Sequence, residues 1–524
     1  MNDQTSDPQG EIFAFLRAPQ GWQALGPRPD RVDVIETHGA LVFLAGAEVL
    51  KVKRAVKLAY LDFSTLDQRR AVCTRELALN RPAAPDIYKE VLAIVRRADG
   101  RLAIGGPGVP VEWAVRMARF GQDQLLEAVA TRSGIGGELA KALADMAATS
   151  HARATVAAGI DTAPRLAAVV ATIVASLTAV GQPDAIELGR ALDHRIASAR
   201  DLLARRVAAG LVRRCHGDLH LGNIVMWNGT PVPFDAIEFD EDLATIDTLY
   251  DLAFLLMDLD RHKCRPAANV VLARYLWRTG RDLDLEGLAL MPAFLALRAG
   301  VRAMVRADRA RQVEGRAKAE ALARVAHTTA LADAYLRPPA PRLIVVGGLS
   351  GTGKSTLAAG LAPAIGAAPG ALHLRSDLER KALAGVDEAE RLPPSHYTTE
   401  SSAAVYDALA RKADLALRAG HSVVLDAVFA TPQERARCSA LASACGAAFT
   451  GIWLEAGAET LKARVAARRG DASDATVSTV ESQLGYELGP IAWARVDASR
   501  GAAETRAGAE RVLGLINPVP PERP

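Results

Sequence analysis

The spacing of apolar and polar positions near the start of the chain predicts a small β-rich region. The segments ALVFLAG (40–46) and EVLKVKR (48–54) alternate around a short turn, which predicts a β-hairpin. The segments IYKEVLAIVRR (87–97) and VEWAVRMARF (111–120) predict further strands around the turn at Asp99–Gly100. We therefore expect a sheet over this part of the chain.

Helical spacing takes over in the following segments. Between the two pairs of strands, STLDQRRAVCTRELALNR (64–81) has helical periodicity and opens on Ser64, a candidate N-cap. From about residue 121 to 210 the chain is rich in Ala, Leu and Arg at helical spacing. After a polar motif, predicted helices run on to residue 335. A small β-rich lobe followed by a large helical lobe is the predicted layout.

A proline-rich seam, LRPPAPR (336–342), ends this helical region, because three prolines in seven residues do not continue a helix. The apolar segment LIVVGG (343–348) follows at once and predicts a strand. Further strands, SVVLDAVF and FTGIWLEA, alternate with helical stretches. This alternation is typical of a parallel sheet wound with helices.

Composition places the chain among globular proteins of two or three domains. Its 524 residues exceed one ordinary core, and 50% hydrophobic with 23% charged residues are globular values. A net charge of +3 does not suggest a nucleic-acid binder. Five scattered cysteines argue against a disulfide framework or a zinc site, and they favour a reducing cytoplasm. The N-terminal segment does not read as a signal peptide, and no apolar run approaches the ~20 residues of a membrane span, so we expect no membrane partner.

A dense polar motif, HGDLHLGN (216–223), interrupts the helical region. Asp218 stands five positions before Asn223, as in a kinase catalytic loop, where the Asp accepts the substrate hydroxyl proton and the Asn holds a metal ion. The segment IVMW predicts a strand, Asn228–Gly229 a type I′ turn, and TPVPFD the returning strand. This hairpin would bring Asp235 beside Asn223, and two such oxygen ligands suit Mg²⁺.

The pattern HGDLHLGN followed by FDAIEF resembles the aminoglycoside phosphotransferase family, a branch of the protein-kinase-like fold, over roughly residues 30–335. The resemblance implies that Asp218 is the catalytic base and that Asn223 and Asp235 bind the metal ion. It also implies loop-shaping roles for two histidines and support of the loop by two aspartates of IDTLYDLAF; these residues are His216, His220, Asp247 and Asp251. For His220, hydrogen bonding within the loop is favoured over catalysis.

A kinase-like small lobe also needs a lysine for the α- and β-phosphates, paired with a glutamate on a helix. The segment EVLKVKR offers Lys51 and Lys53 on the same face of a predicted strand, and we favour Lys51. Glu76 on the following helix is the expected partner, while a hinge near Met117–Phe120 would hold adenine. The alternative for the two lysines is a solvated basic strand.

A second phosphate-binding signature, GGLSGTGKST (347–356), consists of a strand end, a glycine-rich loop and a helix start. It fits the P-loop pattern, in which backbone N–H groups cradle phosphate oxygens, Lys354 reaches the β- and γ-phosphates, and Ser355 ligates Mg²⁺. The residues predicted to bind ATP here are Gly348, Ser350, Gly351, Thr352, Gly353, Lys354, Ser355 and Thr356.

Acidic and basic residues downstream supply the rest of a predicted kinase site. Asp377 and Arg380 follow a short strand in LHLRSDLERK, where a base could meet a substrate hydroxyl, and Asp426 ends a further strand as a candidate metal ligand. A run of arginines before a polar loop could clamp the γ-phosphate as a lid does: Arg464, Arg468 and Arg469. The alternatives are a helix N-cap for Asp377 and a solvated helix face for the arginines.

This second region resembles the small P-loop kinases of the gluconate-kinase, zeta-toxin and polynucleotide-kinase type over most of residues 343–515. Its SD-x-x-R element resembles the last two groups. That resemblance implies Asp377 as general base and Arg380 as a contact for substrate or phosphate.

The predicted fold is an α+β kinase-like bilobal domain followed by an α/β P-loop NTPase domain with a parallel sheet. The predicted segments are an N-terminal extension (1–30), a kinase-like domain (31–335, with lobes at about 31–120 and 121–335), a linker (336–342), a P-loop kinase domain (343–515) and a flexible tail (516–524).

The sequence thus predicts a cytoplasmic, bifunctional ATP-dependent phosphotransferase with two ATP sites, Mg²⁺, and hydroxyl groups of small molecules as acceptors. One alternative is a single N-terminal kinase regulated by a C-terminal P-loop ATPase. Another is a nucleic-acid or nucleotide end kinase, suggested by the basic stripe Arg298, Arg302, Arg306 and Arg309. Because no aromatic residues interleave with that stripe, stacking on bases is not indicated.

Overall fold

The structure is a computed structural model that describes residues 9–37, 39–58, 61–468 and 470–516. Arg469 of the predicted lid, residues 1–8 of the predicted extension and residues 517–524 of the predicted tail lie outside the described residues. The chain divides into two units, one of Met1–Ile135, Thr149–Ile160 and Val207–Asp258, the other of Gly136–Ala148, Asp161–Arg206 and Leu259–Pro524.

An antiparallel sheet of six strands forms the small lobe of the first unit, in the order β1-β2-β3-β8-β6-β7. Its strands, with a short β4–β5 ladder, are β1 (Val32–Glu36), β2 (Ala40–Ala45), β3 (Glu48–Lys53), β4 (Lys57–Leu58), β5 (Leu61–Asp62), β6 (Tyr88–Arg96), β7 (Leu102–Ile104) and β8 (Val109–Ala118). The predicted hairpin is confirmed as β2–β3, with Ala45 opposite Glu48. The turn at Asp99–Gly100 joins β6 to the short strand β7, which the sequence prediction did not include.

Two helices pack on this sheet, α1 (Gly10–Arg17) and α2 (Leu66–Asn80). Helix α1 lies in the predicted N-terminal extension and buries Phe13 and Leu16 against sheet residues such as Phe43. The predicted Ser64 cap of α2 is wrong by one residue. Thr65 is the N-cap, since its side chain accepts a hydrogen bond from the Gln68 amide and the Gln68 side chain accepts one from the Thr65 amide.

The next region is helical, as predicted, with α3 (Leu126–Ser133), α4 (Gly137–Arg153), α5 (Thr162–Ala179), α6 (Ala185–Ser198) and α7 (Arg200–Ala208). The motif region follows, with β9 (Val212–Arg214), β10 (Ile224–Trp227), β11 (Thr230–Pro233), α8 (Glu241–Ala244), β12 (Thr245–Asp247) and α9 (Thr248–Arg261). The predicted hairpin is confirmed as β10–β11. Asn228 and Gly229 have φ of 50° and 81°, and a type I′ turn requires a positive φ at both positions.

Four helices complete this half of the chain: α10 (Arg265–Thr279), α11 (Asp282–Glu286), α12 (Met291–Ala310) and α13 (Gly315–Tyr335). The basic stripe on α12 is not an open surface along its length, because Arg298 is buried and the Arg306 guanidinium donates to Thr328 of α13. By length and hydropathy alone, Thr162–Ala179 and Asp282–Ala310 could each cross a membrane, a test that core helices also pass. These two helices are weak candidates for membrane spans, which the apolar runs of the sequence had not predicted. The cytoplasmic location stays a prediction.

A parallel sheet of five strands, in the order β14-β15-β13-β16-β17, forms the C-terminal half and confirms the predicted α/β class. Its strands are β13 (Arg342–Gly347), β14 (Leu372–Arg375), β15 (Val423–Asp426), β16 (Ala448–Glu455) and β17 (Ala494–Asp497). Its helices are α14 (Lys354–Leu361), α15 (Ser376–Ala384), α16 (Thr399–Arg418), α17 (Pro432–Ala444), α18 (Ala458–Ala467), α19 (Val477–Leu484) and α20 (Ala502–Val512). Strand β13 is nearly all apolar because helices cover both faces of such a sheet.

Candidate active sites

The two lysines of β3 and Glu76 of α2 form a buried ion-pair cluster in the small lobe. The alternation of side chains along a strand puts Lys51 and Lys53 on one face, and each contacts one carboxylate oxygen of Glu76, at 2.8 and 2.6 Å. Lys51 also contacts Asp235, whereas Lys53 contacts Glu238. Both lysines are enclosed, so the solvated-strand alternative is wrong. Only Lys51 reaches the carboxylate predicted to bind metal.

The charge state of Lys51 follows from these neighbours. Burial alone would lower its pKa, but the carboxylates of Asp235 and Glu76 outweigh burial and raise the pKa well above its usual value. Lys51 is therefore a permanent cation at neutral pH, as a group that binds phosphate oxygens must be.

Asp235 is fixed by two residues that sequence reasoning missed. It has a φ of 62°, its amide donates to the Tyr88 hydroxyl at 3.1 Å, and the following amide of Ala236 donates to Asn80 Oδ1 at 2.8 Å. Tyr88 begins β6 and Asn80 ends α2. Because both residues are far from Asp235 in the sequence, no motif around Asp235 predicts these contacts. The Asp235 side chain remains 40% exposed, which leaves carboxylate oxygen open to a ligand.

Asp218 and Asn223 lie together, as their spacing predicts. Asn223 Nδ2 donates to the Asp218 carbonyl at 3.0 Å and to its carboxylate at 2.9 Å. The β10–β11 hairpin closes at the same point, because the Phe234 amide donates to the Asn223 carbonyl at 3.0 Å and Asp235 comes next in the chain. The Asp218 side chain is 38% exposed and is thus open to an acceptor.

The two histidines of the motif hold the loop. His216 Nδ1 accepts from the Asp218 amide at 3.3 Å, so Nε2 carries the proton and donates to the Phe234 carbonyl at 2.9 Å. Burial lowers the pKa of His216, which favours this neutral form. His220 Nδ1 accepts from the Gly222 amide at 3.0 Å, while its Nε2 lies 3.3 Å from the Asp218 carboxylate.

Carboxylates of α9 accept hydrogen bonds from backbone amides of the loop at 216–223. Asp251 accepts from the amides of His216 and Gly217, at 3.3 and 2.9 Å, and also contacts His151. Asp258, seven residues further along the helix, accepts from the Leu221 amide at 3.1 Å. His151 and Asp258 were not predicted from the sequence, although the seven-residue spacing puts Asp258 on the same helix face as Asp251.

Asp247, which the resemblance implies as a support of the catalytic loop, lies at the end of β12, directly before α9. Its Oδ1 accepts from the Leu249 amide at 2.8 Å, at the start of α9. It therefore helps to begin the helix that carries Asp251.

The P-loop of the second half opens on a cleft of about 1080 Å³. Most of the predicted residues of this half line it: Ser350, Gly351, Gly353, Lys354, Ser355, Thr356, Asp377, Arg380, Asp426, Arg464 and Arg468. Gly348 and Thr352 do not. A Cβ on Gly348 would lie 2.7 Å from the Leu454 carbonyl, and Thr352 Oγ1 donates to the Leu349 carbonyl at 2.8 Å, so both residues shape the loop.

The pKa values of the two cleft aspartates, Asp377 and Asp426, are shifted in opposite directions. Burial raises the pKa of Asp377, despite the nearby Arg375. Burial would also raise the pKa of Asp426, but the nearby His373 and Arg375, at 3.5 and 3.7 Å from its carboxylate, bring it to about 2. The N-cap residue of α15 is Arg375, so the N-cap alternative for Asp377 is wrong.

The cleft arginines hold loops of the protein itself. Arg380 donates to the His396 carbonyl at 2.6 Å, and its guanidinium lies 4.7 Å from the ring centroid of Tyr397. Arg464 donates to the carbonyls of Ala498 and Arg500, both at 2.7 Å. Arg464 thus fixes the loop after β17, a contact that the predicted lid did not include.

Arg468, Gln483 and Asp471 complete the rim of the cleft. Arg468 Nε lies 3.6 Å from the Asp471 carboxylate, which also contacts Arg375 at 2.7 Å. Gln483, which sequence reasoning missed, accepts from the Ser350 amide of the P-loop at 2.7 Å. Arg464 and Arg468 are partly buried, so the alternative of a solvated helix face is wrong for both.

Two family models match the chain. The model of the phosphotransferase enzyme family matches residues 64–287, and a model described as an AAA domain matches residues 343–487. Each match contains the motif of one site described above.

Relatives that match most of this chain occur in mycobacteria. Uncharacterised proteins of Mycobacterium tuberculosis (Rv2004c) and Mycobacterium bovis (Mb2027c) are each 34% identical over 458 residues, which cover 85% of this chain and 88% of each relative.

Solved kinases are similar to parts of the chain. A choline kinase from Cryptosporidium parvum is 11% identical, with a TM-score of 0.39, over 62% of this chain and 94% of its own. A gluconokinase from Sinorhizobium meliloti is 22% identical, with a TM-score of 0.25, over 33% of this chain and 93% of its own. With TM-scores below 0.5, these two similarities do not bear on the substrate of this chain.

Proposed function

We propose that this chain, which belongs to the family of the mycobacterial proteins and is a phosphotransferase enzyme, has two separate ATP sites. It uses them to phosphorylate hydroxyl groups of small molecules. The observation that carries this proposal is that each half brings a lysine and carboxylates of its own together. Lys51 contacts Glu76 and Asp235, while Lys354 shares a cleft with Asp377 and Asp426.

In the first site, Lys51 would donate to the α- and β-phosphates of ATP, held in place by Glu76. Asp218 would accept the proton of the acceptor hydroxyl at a carboxylate oxygen that Asn223 Nδ2 orients. The amide oxygen of Asn223 and the carboxylate of Asp235 fit Mg²⁺, which prefers such ligands. When bound, that ion would neutralise charge on the transferred phosphoryl group.

In the second site, the P-loop amides and Lys354 would bind the phosphates of ATP. Asp377 would accept the proton of the second acceptor, and its raised pKa suits a general base better than an ordinary aspartate would. The Ser355 hydroxyl and the ionised Asp426 carboxylate both line the cleft and fit Mg²⁺ there. A cytoplasmic location belongs to the same proposal, supported by five cysteines that are all free thiols.

The test is phosphate transfer from ATP to a panel of alcohols, sugars, nucleosides and phenols by the full-length protein. Four proteins are compared: wild type, Asp218→Asn, Lys354→Ala and Asp377→Asn. We expect Asp218→Asn to lose transfer to one acceptor, and Lys354→Ala and Asp377→Asn to lose transfer to another. Loss of all transfer in Lys354→Ala, with Asp377→Asn nearly unaffected, would instead support a P-loop ATPase that regulates a single kinase.

A further inference from the structure

Helix α10 of the kinase-like half holds the segment that carries Asp377. Asn269 Nδ2 donates to the Ala371 carbonyl at 2.9 Å, immediately before β14. Trp277 Nε1 donates to the Leu378 carbonyl at 3.1 Å, immediately after Asp377. Two side chains, two turns apart on one helix, therefore fasten both ends of the β14–Asp377 segment.

Charged contacts extend this attachment to the loop after α15. Arg274 of α10 makes two hydrogen bonds of 2.8 Å to Asp145 and also contacts Glu388. Lys141 contacts the same Glu388 at 2.9 Å. Burial would raise the pKa of Glu388, but the charges of Lys141 and Arg274 lower it. Glu388 is thus an ionised, partly buried anchor three residues before Arg391, which lines the cleft.

The segment needs such support because β14 is an edge strand. Among the strands that the structure describes, only β15 pairs with β14, which leaves the other edge of β14 to be covered by another element. Helix α15 has nine residues, too few to be stable by itself. A cavity of about 170 Å³ lies between α10 and this segment, bounded by Trp277, Leu378 and Ser355 among others. The two hydrogen bonds are direct polar contacts between α10 and the segment beside this cavity.

We propose that α10 is a positioning element of the second phosphotransfer site, with Asn269 and Trp277 as positioning residues that hold Asp377 in register with the P-loop. This inference rests on the proposed function of that site. A misplacement of about 1 Å at a reacting group costs on the order of 10²-fold in rate. A helix that precedes the proline-rich seam, α10, would thus contribute to the phosphotransfer site that follows the seam.

The test uses the full-length chain with Asp218→Asn, which removes the proposed base of the first site. ATP hydrolysis then measures the activity of the second site. Trp277→Phe and Asn269→Leu each remove one donor and keep a similar side-chain volume. Trp22→Phe is the matched control, because Trp22 Nε1 donates to the Leu16 carbonyl at 2.8 Å in the small lobe. We expect kcat to fall about tenfold or more in the two α10 variants, within the range that misplacement causes, while KM for ATP stays within about twofold.

Amide hydrogen exchange over residues 371–384 provides a readout that does not depend on turnover. In the two α10 variants these amides should exchange at least about tenfold faster, while those of β13 and β16 keep their wild-type rates. Wild-type exchange in both variants would overturn the inference, as would an equal loss of kcat in Trp22→Phe. If the parent protein shows no Lys354-dependent turnover, the proposed function of the second site fails, and the exchange result alone decides whether α10 holds the segment.

Discussion

Asp218 and Asp377 are two aspartates with the same proposed task in different surroundings. Asp218 is partly exposed and accepts a hydrogen bond from Asn223, which orients its carboxylate. Asp377 lies in a cleft where burial raises its pKa. The first carboxylate depends on orientation for its proposed role, and the second also depends on its altered basicity.

Replacing Asp218 tests the first of these sites. In a Lys354→Ala background, Asp218→Asn should lower phosphate transfer by about 10²–10⁴-fold, the usual share of a positioned base. ATP affinity at the first site should stay within about twofold, since Lys51 and Asp235 are unchanged; calorimetry with Mg-ATP measures it. Unchanged turnover would contradict the role of Asp218 as base.

Replacing Asp377 should stabilise the fold at neutral pH while it removes transfer. The folded-state pKa of Asp377 lies above the ordinary value of 3.8, so its carboxyl favours folding in the protonated form. That contribution is complete below pH 3.8 and is lost as the pH rises through the raised pKa. Asp377→Asn should therefore raise Tm at pH 7 relative to wild type, and the gain should shrink as the pH falls towards 4.

The control for this prediction is Asp426→Asn, where the sign reverses. The pKa of Asp426 is about 2, so its ionised form stabilises the fold above pH 3.8, and this stability is lost as the pH falls through 2. Asp426→Asn should lower Tm at pH 7. Equal shifts of Tm in both variants would mean that the surroundings of the two aspartates do not differ as described.

At the scale of elements, strand β3 carries two lysines with different consequences. Lys53 is 3% exposed and lies between Glu76 and Glu238, both of which are also buried. Lys51 contacts Glu76 and the more open Asp235. These surroundings favour Lys51 over Lys53 as the lysine that binds ATP, and they favour a structural role for Lys53.

Methionine substitutions should separate these roles. Lys53→Met removes the cation that contacts the buried Glu238 and should lower the free energy of unfolding by about 3–5 kcal/mol, measured by urea titration. Lys51→Met should cost less stability, because the Asp235 carboxylate that loses its cation is 40% exposed to solvent, but it should lower first-site turnover by about 10²–10³-fold. The reverse pattern would identify Lys53 as the ATP contact.

Elements with strong local signals could be predicted from the sequence. The β2–β3 hairpin, the β10–β11 hairpin and the P-loop were predicted because alternation, an Asn-Gly turn and a glycine pattern each act within a few residues. Side chains that meet across long separations were missed. Tyr88, Asn80 and Trp277 act through single contacts with distant backbone, and no periodicity encodes such a contact.

At the scale of the whole molecule, the proline-rich seam marks a change of fold but not a clean separation of contacts. The residues after the seam share a unit with Gly136–Ala148, Asp161–Arg206 and the helices from Leu259 onward. The predicted independence of the two sites is therefore a matter of chemistry: each has its own lysine, although the second site takes support from α10.

The full-length chain with Lys354→Ala should lose the C-terminal transfer and keep the Asp218-dependent one. Lys354 lies in the P-loop cleft, and its removal takes a phosphate contact from that cleft alone. The measurement is transfer to the acceptor of each site, with Asp377→Asn as the matched variant that keeps ATP binding. If Lys354→Ala silences both activities, the two sites are not independent.

The hydrogen bonds from α10 to β14 and Leu378 also limit how the C-terminal half can be exchanged between proteins. A P-loop domain grafted onto this chain from another kinase would have to place carbonyl oxygens where those of Ala371 and Leu378 accept from Asn269 and Trp277. The C-terminal half moved alone would arrive with the edge of β14 uncovered. A chimera that keeps the second site active therefore has to include α10 together with the P-loop domain.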